Sequence, residues 1–585
     1  MKKAENQGSK GISGYPALVS VDLAALVNNY RVLREHAGDS LLLPIVKANA
    51  YGAGLFEVAT TLWEEGARWF GVARLPEALK LANHMAAQGK EPRILTWLVP
   101  GREGYEVAVE AGLDVSVSNL EELQQATEAV RALRDEGEPE ATARVHAKVD
   151  VGMSRGGSKP EDWGDLLDGL GEAVAQGLIT LVGIWSHLPQ ADDPSGPGRK
   201  VTQNQIQVFA DACGAAEQKG LVPEVRHLEA SAGILWFPEG RFDMVRPGVA
   251  LYGLSPAPDV VSAEEIGLKP VIRVSTRIQA VKHLSEGDGV SYGATWVADG
   301  PHWVGLLPVG YADGIPRALS NGGPFVTRTS SGLVSTPILG RVCMDQIIIN
   351  LGDGAQPLAQ VGDEVVALGD PVEGEPSAEE WAERSSTINY EIIASLPERL
   401  DRRHLPTTSE LKVSTASAHE TRRLASALAE VLQPGDLVVL IGDLGAGKTT
   451  FVQGLAEGMG VEGRVTSPTY IVARVHEPTG DGPALVHVDA YRVEDELDLE
   501  TIDLEATVDQ SVTAVEWGEG KVEHLSGERL EVRFSTPPTG GQMLEDEPRE
   551  IVFTPVGENI TSRLNPFQRQ LRGERDENRG SEVEA

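Results

Sequence analysis

Residues 41–52 read LLLPIVKANAYG, an apolar run that carries one lysine, Lys47, near its end and stops at Gly52. The run suits a buried strand over Leu41–Ala48. A lysine at the end of such a strand suits Schiff-base chemistry. Upstream, Asp22 can cap a helix whose apolar stripe is Leu23, Leu26, Val27, Tyr30 and Leu33. Downstream, strand patterns at 69–73, 93–99, 113–118, 143–150, 181–187, 225–230 and 243–247 alternate with helical stretches such as 75–89, which has Pro76 in its first turn. Eight strands with intervening helices over residues 15–255 predict a (β/α)8 barrel, with an open doubly wound sheet as the alternative.

A barrel of this kind carries its chemistry at the carboxyl ends of its strands. The unusual residues fall there. Lys47 ends the first strand. Lys148, Asp150, Met153 and Arg155 follow the fifth. His187 ends the sixth, Ser231 follows the seventh, and Arg246 and Gly248 close the eighth. Ser231 and the backbone N–H groups near Gly248 and Val249 would serve a phosphate. Taken singly, a lysine after a strand is usually a surface charge, and a lone histidine or tyrosine is usually packing.

From about 256 to 405 the texture changes. Val274, Thr276, Ile278 and Ala280 alternate with more polar neighbours, and short apolar runs are separated by Gly, Pro, Asp and Asn, which predicts a mostly β domain. HLPTTSE (404–410) reads as a linker. A strand at 411–413 follows, then Ser417 with Glu420 as a capping box and a helix with Leu424, Leu428 and Val431 on its buried face. Strand 437–441 runs into GDLGAGKT (442–449), which has the complete phosphate-loop spacing. Gly442, Gly445 and Gly447 let backbone N–H groups turn onto phosphate, Lys448 neutralises charge, and Thr449, followed by Thr450, ligates Mg2+. Val452, Leu455 and Met459 mark the helix that follows. TSPTY (466–470) reads as a turn before a strand. HVDAYR (487–492) and AVEW (514–517) place Asp489 and Glu516 at strand ends, where a metal opposite Thr449 needs a carboxylate. Residues 557–585 are polar and charged and read as a disordered tail after a domain spanning 411–540.

Composition narrows the classes. The 585 residues carry a net charge of −36, which argues against strong direct nucleic-acid binding. Cys213 and Cys343 are too few for a disulfide framework, and no run approaches membrane-spanning length. The expectation is a cytoplasmic chain.

VKANAYG, HAKVDVGMSRGG, GIWSH, FDMVRPGVALYGLSP, VSYGATW, GYADGIPRALSN and GRVCMDQ, in that order, resemble alanine racemase over about 15–405. The resemblance implies a pyridoxal 5'-phosphate barrel with a C-terminal β domain, working as a homodimer on L- and D-alanine. It implies that Lys47 binds the cofactor and is the base on one face of the substrate, with Tyr292 of the other subunit as the base on the opposite face. Arg246 would face the pyridine nitrogen and His187 would lie between Arg246 and Tyr292. Arg155 would contact the substrate carboxylate, and Lys148 matches a position often carbamylated in the family. Tyr51, Ser231, Gly248, Val249 and Tyr390 match the phosphate site. Tyr311, Met344 and Asp345 match the substrate entrance across the dimer. The chain departs from the family pattern at Ala53 and Ala230, where His and Asn are usual. A cofactor-binding barrel without racemase activity and a basic amino-acid decarboxylase are the alternatives; neither carries the Tyr292 pairing.

GDLGAGKTTFVQGLAEGMGV, SPTY, HVDAYR and VEWGE together resemble TsaE, the ATPase subunit of the tRNA threonylcarbamoyladenosine machinery, over about 411–535. The resemblance implies that Lys448 and Thr449 hold ATP and Mg2+, Glu516 ligates the metal, Asp489 is a second catalytic acid and Trp517 lies near the nucleotide. It implies partner subunits of that complex. The alternatives are a degenerate nucleotide-binding module that regulates the racemase, and a small-molecule kinase, for which Arg492 is the single candidate lid arginine.

Overall fold

The computed structural model describes residues 17–405 apart from 330. Of the remainder it describes 411–443, 445–463, 465, 473–480, 482–490, 511–518, 521, 522, 525, 526, 528–535, 548–556, 560, 563, 564 and 567. The chain divides into two compact units, Met1–His404 and Leu405–Ala585. Thr466–Tyr470, Tyr491, Arg492 and everything beyond Phe567 lie outside the described residues.

β1 (Ala17–Asp22) leads into a helix, Leu23–Ala37, whose first turn is capped by the Asp22 carboxylate accepting from Ala25 N at 2.9 Å. Eight parallel strands then form one sheet: β2 (Leu41–Leu42), β3 (Trp69–Arg74), β4 (Arg93–Leu98), β5 (Asp114–Val117), β6 (Ala143–Lys148), β7 (Ile179–Trp185), β8 (Val225–Ala230) and β9 (Met244–Arg246). Their order is β2-β9-β8-β7-β6-β5-β4-β3, and a parallel bridge between Ile45 and Gly71 joins the two ends into a barrel. Gly71 is needed at that seam: a Cβ there would come 2.5 Å from Leu43 Cδ2 and 2.6 Å from Ile45 Cδ1.

The β domain has two main sheets. Strands β10 (Ile272–Arg277), β15 (Val326–Thr329), β16 (Gly332–Ser335), β19 (Glu364–Leu368) and β20 (Asp401–Leu405) form a six-stranded sheet with β1. Strands β11 (Ala280–Leu284), β14 (His302–Leu307), β17 (Ile338–Leu339) and β18 (Ile347–Asn350) form a four-stranded one, and β12 (Gly289–Val290) pairs with β13 (Trp296–Val297). One continuous apolar core runs through barrel and β domain.

Three expectations are corrected in this unit. β1, placed by sequence with the barrel, pairs antiparallel with β10 from Ala17↔Thr276 to Val21↔Ile272. Its alternating buried and half-buried residues suit a sheet with one dry face. The first barrel strand does not reach Ala48; it ends at Leu42, and the chain turns at Lys47. His404 and Leu405 belong to β20 rather than to a linker, with His404 Nε2 bonded to Ala53 O at 2.7 Å; residues 406–410 lie outside the described ones.

The C-terminal unit is one seven-stranded sheet of order β21-β27-β26-β22-β25-β24-β23. These are β21 (Leu411–Thr415), β22 (Leu437–Ile441), β23 (Ala473–His476), β24 (Ala484–Asp489), β25 (Ser511–Glu516), β26 (Arg529–Ser535) and β27 (Arg549–Val556). The central β22 is buried throughout and lies parallel to β25 and β26. Helix Ala418–Ala429 is capped by Ser417 as expected, but Glu420 reaches back to Ala416 N, not to the cap residue. Within the expected tail, Ile560, Leu564 and Phe567 are buried in the core of this unit, and Arg563 pairs with Asp436. Three apolar residues at such spacing cover one stripe, a signal diluted by the charged residues around them.

Candidate active sites

Lys47 opens a turn in which Ala48, Asn49, Ala50 and Tyr51 all have left-handed backbones, with φ of 56°, 54°, 52° and 54°. Each such non-glycine residue costs about 1–2 kcal/mol. The turn is held from outside. Glu77 accepts from Ala48 N at 3.3 Å and Asn49 N at 2.8 Å, and Asn49 Oδ1 accepts from Leu55 N at 2.9 Å. Tyr51 stacks on Tyr252 with ring centroids 4.7 Å apart, and the Tyr252 hydroxyl donates to Ile45 O at 3.0 Å. Strain of this kind persists where the surroundings over-determine it.

The turn opens into a cavity of about 1390 Å3 at the carboxyl ends of the strands. Lys47, Tyr51, Lys148, Arg155, His187, Ser231, Arg246, Gly248, Val249 and Tyr390 all line it. Burial, reinforced by Arg155, lowers the pKa of Lys47 and favours its neutral amine. Burial and then Arg246 and Arg155 bring Lys148 down to about 8. Lys148 Nζ lies 4.5 Å over the Trp185 ring. Gly248 is the close-approach position: a Cβ there would come 2.9 Å from Tyr51 Oη. Ser231 Oγ accepts from Gly248 N at 2.9 Å and Ala250 N at 3.3 Å. Tyr390 is pushed up to about 12 by burial, so it stays a neutral hydroxyl donor.

Arg246 is 3% exposed, and burial brings it down to about 9. Its Nη2 donates to Ser186 O at 2.6 Å and Leu228 O at 2.8 Å and faces His187 Nδ1 at 3.4 Å; its Nη1 faces His227 Nδ1 at 3.1 Å. A guanidinium has no acceptor, so both imidazoles must present bare Nδ1 atoms and carry their protons on Nε2. Burial and the surrounding cations, Arg246 first, hold His187 down to about 3, in keeping with a neutral ring. His187 lies two residues past β7 rather than within it.

Four expected residues do not line the cavity. Tyr292, Tyr311 and Met344 are 72%, 43% and 53% exposed on the β domain, and Asp345 pairs with Arg399 at 3.0 Å. They share one surface, since Tyr311 N and Ala312 N donate to the carbonyls of Cys343 and Met344 and Ser291 Oγ donates to Arg341 O. Sequence reasoning missed Glu77, Trp185 and His227. Among these, only Trp185 and His227 carried a signal, as inward positions of strands that end at expected site residues.

In the C-terminal unit, Gly442, Gly445 and Gly447 have φ of 150°, 82° and 108°, the loop geometry that glycine permits. Helix Lys448–Met459, which includes Thr450, follows directly. Lys448 Nζ donates to Gly442 O at 2.6 Å and Asp443 O at 2.9 Å, and lies 3.8 Å over the Trp517 ring. Thr449 Oγ1 donates to Glu516 Oε1 at 2.9 Å, and buried His487 donates from Nε2 to the same oxygen at 3.0 Å. Asp489 stands beside Glu516 in the register of β24 and β25. Arg549, at the start of β27, lies against the loop: a Cβ on Gly447 would come 2.8 Å from its Nε. No motif pointed to Arg549, because it is about 100 residues from the loop and meets it through the sheet order alone.

Family models for the alanine racemase N-terminal domain and the alanine racemase C-terminal domain match residues 21–256 and 271–404. The alanine racemase of Beutenbergia cavernae is 44% identical over 391 residues, 67% of this chain and 98% of the relative. The chain belongs to the alanine racemase family. The alanine racemase of Streptomyces coelicolor is 41% identical over 387 residues, 66% of this chain and 95% of the relative. The crystal structure of alanine racemase from D-cycloserine producing Streptomyces lavendulae matches with TM-score 0.62 and 38% identity, over 67% of this chain and 98% of that one. Alanine racemase from Bartonella henselae with covalently bound pyridoxal phosphate matches with TM-score 0.57 and 26% identity, over 66% of this chain and 99% of that one. Residues 415–542 match the model for threonylcarbamoyl adenosine biosynthesis protein TsaE, so a TsaE domain follows the racemase part.

Proposed function

We propose that the chain is bifunctional: the N-terminal unit interconverts L- and D-alanine with pyridoxal 5'-phosphate, and the TsaE domain hydrolyses ATP in support of tRNA threonylcarbamoyladenosine modification. The observation that carries the first half is the one-sidedness of the barrel cavity. Lys47, Arg155, His187 and Arg246 are inside it, whereas Tyr292 is exposed on the β domain. Racemisation needs a base on each face of the α-carbon. A second copy of the chain, presenting its Tyr292, Tyr311, Met344 and Asp345 surface, completes the site.

The donor set suits the cofactor. The Ser231, Tyr51 and Tyr390 hydroxyls and the open backbone at Gly248 fit a phosphate, Lys47 is a buried amine, and Arg246 is a fixed cation. When bound, pyridoxal 5'-phosphate withdraws electrons from the substrate α-carbon and makes its hydrogen removable as a proton. Arg155 holds the substrate carboxylate. Lys47, whose pKa burial lowers, gives or takes the proton on one face; Tyr292 of the second copy does so on the other. His187, with its proton on Nε2, is a donor that can orient the tyrosine oxygen. Arg246 stays charged and cannot hand a proton on to the pyridine ring.

In the TsaE domain, Lys448 exchanges its two loop carbonyls for phosphate oxygens. Thr449 and Glu516, already side by side, fit Mg2+, with His487 steadying the carboxylate and Asp489 alongside. Hydrolysis would serve partner subunits, in keeping with an acidic chain that does not hold RNA by itself. The test is one preparation of the full chain and its Lys47→Ala and Lys448→Ala variants. Racemisation should vanish in the first and persist in the second, and ATPase, measured with and without partner subunits, should do the reverse. Racemisation by Lys47→Ala, or full ATPase by Lys448→Ala, would overturn the corresponding half.

A further inference from the structure

Arg246 is a buried cation with no carboxylate in direct contact among the described residues. Its Nη1 bond leads away from the cavity and down the inside of the barrel. His227 Nε2 lies 2.9 Å from His146 Nδ1, and His146 Nε2 lies 3.3 Å from Asp114 Oδ2. All three residues are 0% exposed. Asp114 opens β5 and Arg246 closes β9. In a parallel barrel these are opposite ends, so three hydrogen bonds span the interior from the cofactor side to the far side. At the far side Asp114 meets Arg93 at 2.9 Å and Arg144 at 2.6 Å, and Arg93 continues to Glu224.

The proton order along this chain is forced. Arg246 can donate and cannot accept, so His227 Nδ1 is bare and His227 Nε2 carries the proton. His146 Nδ1 must then accept, which leaves its proton on Nε2, aimed at a carboxylate that can receive it. Every donor points from the guanidinium to Asp114, and no other arrangement of neutral rings satisfies all three bonds. Burial keeps both imidazoles neutral, His227 well below its usual value, as this order requires.

The surroundings are built for it. A Cβ on Gly183 of β7 would come 2.2 Å from His146 Nδ1, so the glycine makes room for the ring between its neighbours. Trp185 stacks on His227 with centroids 5.6 Å apart and planes within 5°, and its Nε1 donates to Ser116 Oγ at 2.9 Å. The Trp69 ring meets His146 edge-on at 6.0 Å.

We propose that Asp114, His146 and His227 form a one-directional hydrogen-bond wire that holds Arg246 in place and in its charged, donor-only state at the cofactor ring. The proposal rests on the racemase reading for what Arg246 faces. Asp114 and His146 touch neither substrate nor cofactor; they are positioning residues acting through Arg246. A carboxylate at the end of a polarised chain strengthens each acceptor before it, so its charge is felt at the guanidinium without an acid beside the ring.

The test has a structural and a kinetic arm, both on the full chain. Histidine labelled with 15N reports which ring nitrogen carries the proton for each of the 12 histidines, assigned with His146→Asn and His227→Asn. Without and with cofactor, both wire rings should be neutral with the proton on Nε2. A proton on Nδ1 of either ring, or a doubly protonated ring, overturns the wire even if racemisation is normal. In the kinetic arm, Asp114→Asn should lower kcat about tenfold, the loss common for a residue that orients a group at a reacting centre, with KM for alanine little changed. An amide oxygen can still accept from His146 Nε2, so the proton order set by Arg246 persists while the charge at the end of the wire is lost. Arg144→Gln weakens the same ion pair and leaves the wire atoms in place, so it should keep kcat. Equal losses in the two variants would make Asp114 merely structural and overturn the proposal. Persistent racemisation in Lys47→Ala would instead strike the racemase reading and leave the nitrogen result standing.

Discussion

The two lysines of this chain are prepared in opposite ways. Lys47 stands on a strained left-handed turn, clamped from outside by Glu77, in a cavity whose other walls are in place. Lys448 is folded back on its own loop, satisfied by Gly442 and Asp443 carbonyls and lying on Trp517. On the proposed reading the first site has its cofactor-side groups assembled and lacks one opposed base, a deficit of shape that a second copy would fill. The second has its metal-side groups in contact and must break two hydrogen bonds to work. Cofactor chemistry needs a rigid, dry setting before substrate arrives; a nucleotide site can let phosphate compete for the lysine.

The largest test of this contrast is reciprocal. Lys47→Ala should cost racemisation about three orders of magnitude or more and leave ATPase unchanged. Lys448→Ala should cost ATPase about a hundredfold and leave racemisation unchanged. A loss of both activities in either variant would erase the distinction between the units.

Next comes the deficit of shape. If Tyr292 acts across a twofold dimer, Lys47→Ala and Tyr292→Phe, each inactive alone, should complement when co-expressed. A mixed dimer keeps one intact site of two, and random pairing makes half the dimers mixed, so about a quarter of wild-type activity should return. No recovery, with mixed dimers demonstrated, would place Tyr292 outside the site.

Two buried glutamates extend the comparison. Glu516 is held by Thr449 and His487, whereas Glu229, in β8 below Ser231, is 0% exposed and no side chain hydrogen-bonds its carboxyl among the described residues, the backbone N–H of Gly240 lying beside it. Burial pushes Glu229 up to about 8 from the usual 4.5. Its contribution to stability is therefore whole below pH 4.5 and falls by about 1.4 kcal/mol per pH unit as the pH rises toward 8. Glu229→Gln should remove that slope, raising the unfolding midpoint of the racemase unit at pH 8 and leaving it nearly unchanged at pH 5. Urea titrations at the two pH values measure it, and a pH-independent change would contradict an isolated acid.

The smallest effect concerns Lys448. Trp517→Phe replaces a cation–π contact with a weaker one, a change of about 0.5–1 kcal/mol. ATP should quench or enhance tryptophan emission in wild type as Lys448 leaves the ring, and the change should be absent in Trp517→Phe. An unchanged emission on saturating ATP would mean that the lysine never leaves.

Much of this was legible along the chain because the signals were local. The phosphate loop declares itself in eight residues, and its glycines adopt the positive φ the pattern demands. The barrel strands were readable because each is a short apolar run between turns, and all the cavity residues on them fall near strand ends. The left-handed turn at Lys47 was not legible: Ala48, Asn49 and Ala50 have no local reason to leave the right-handed region, and it is Glu77, from the helix Leu75–Ala87 that follows β3, that holds them. Nor was the membership of β1, whose alternation marks a sheet with one dry face and does not name its partner.

What the sequence by itself determined is the inventory: two motif lysines, Lys47 and Lys448, the residues proposed to serve each, and the order of strands and helices that carries them. These follow from side-chain pattern and spacing, which are properties of neighbours in the chain. Only the tertiary structure decided that Tyr292 is kept out of its own cavity, that Arg549 meets the phosphate loop, and that Arg246, His227, His146 and Asp114 lie in one line. Those relations join residues that are far apart in sequence, and it takes barrel closure and sheet order to bring them within hydrogen-bonding distance.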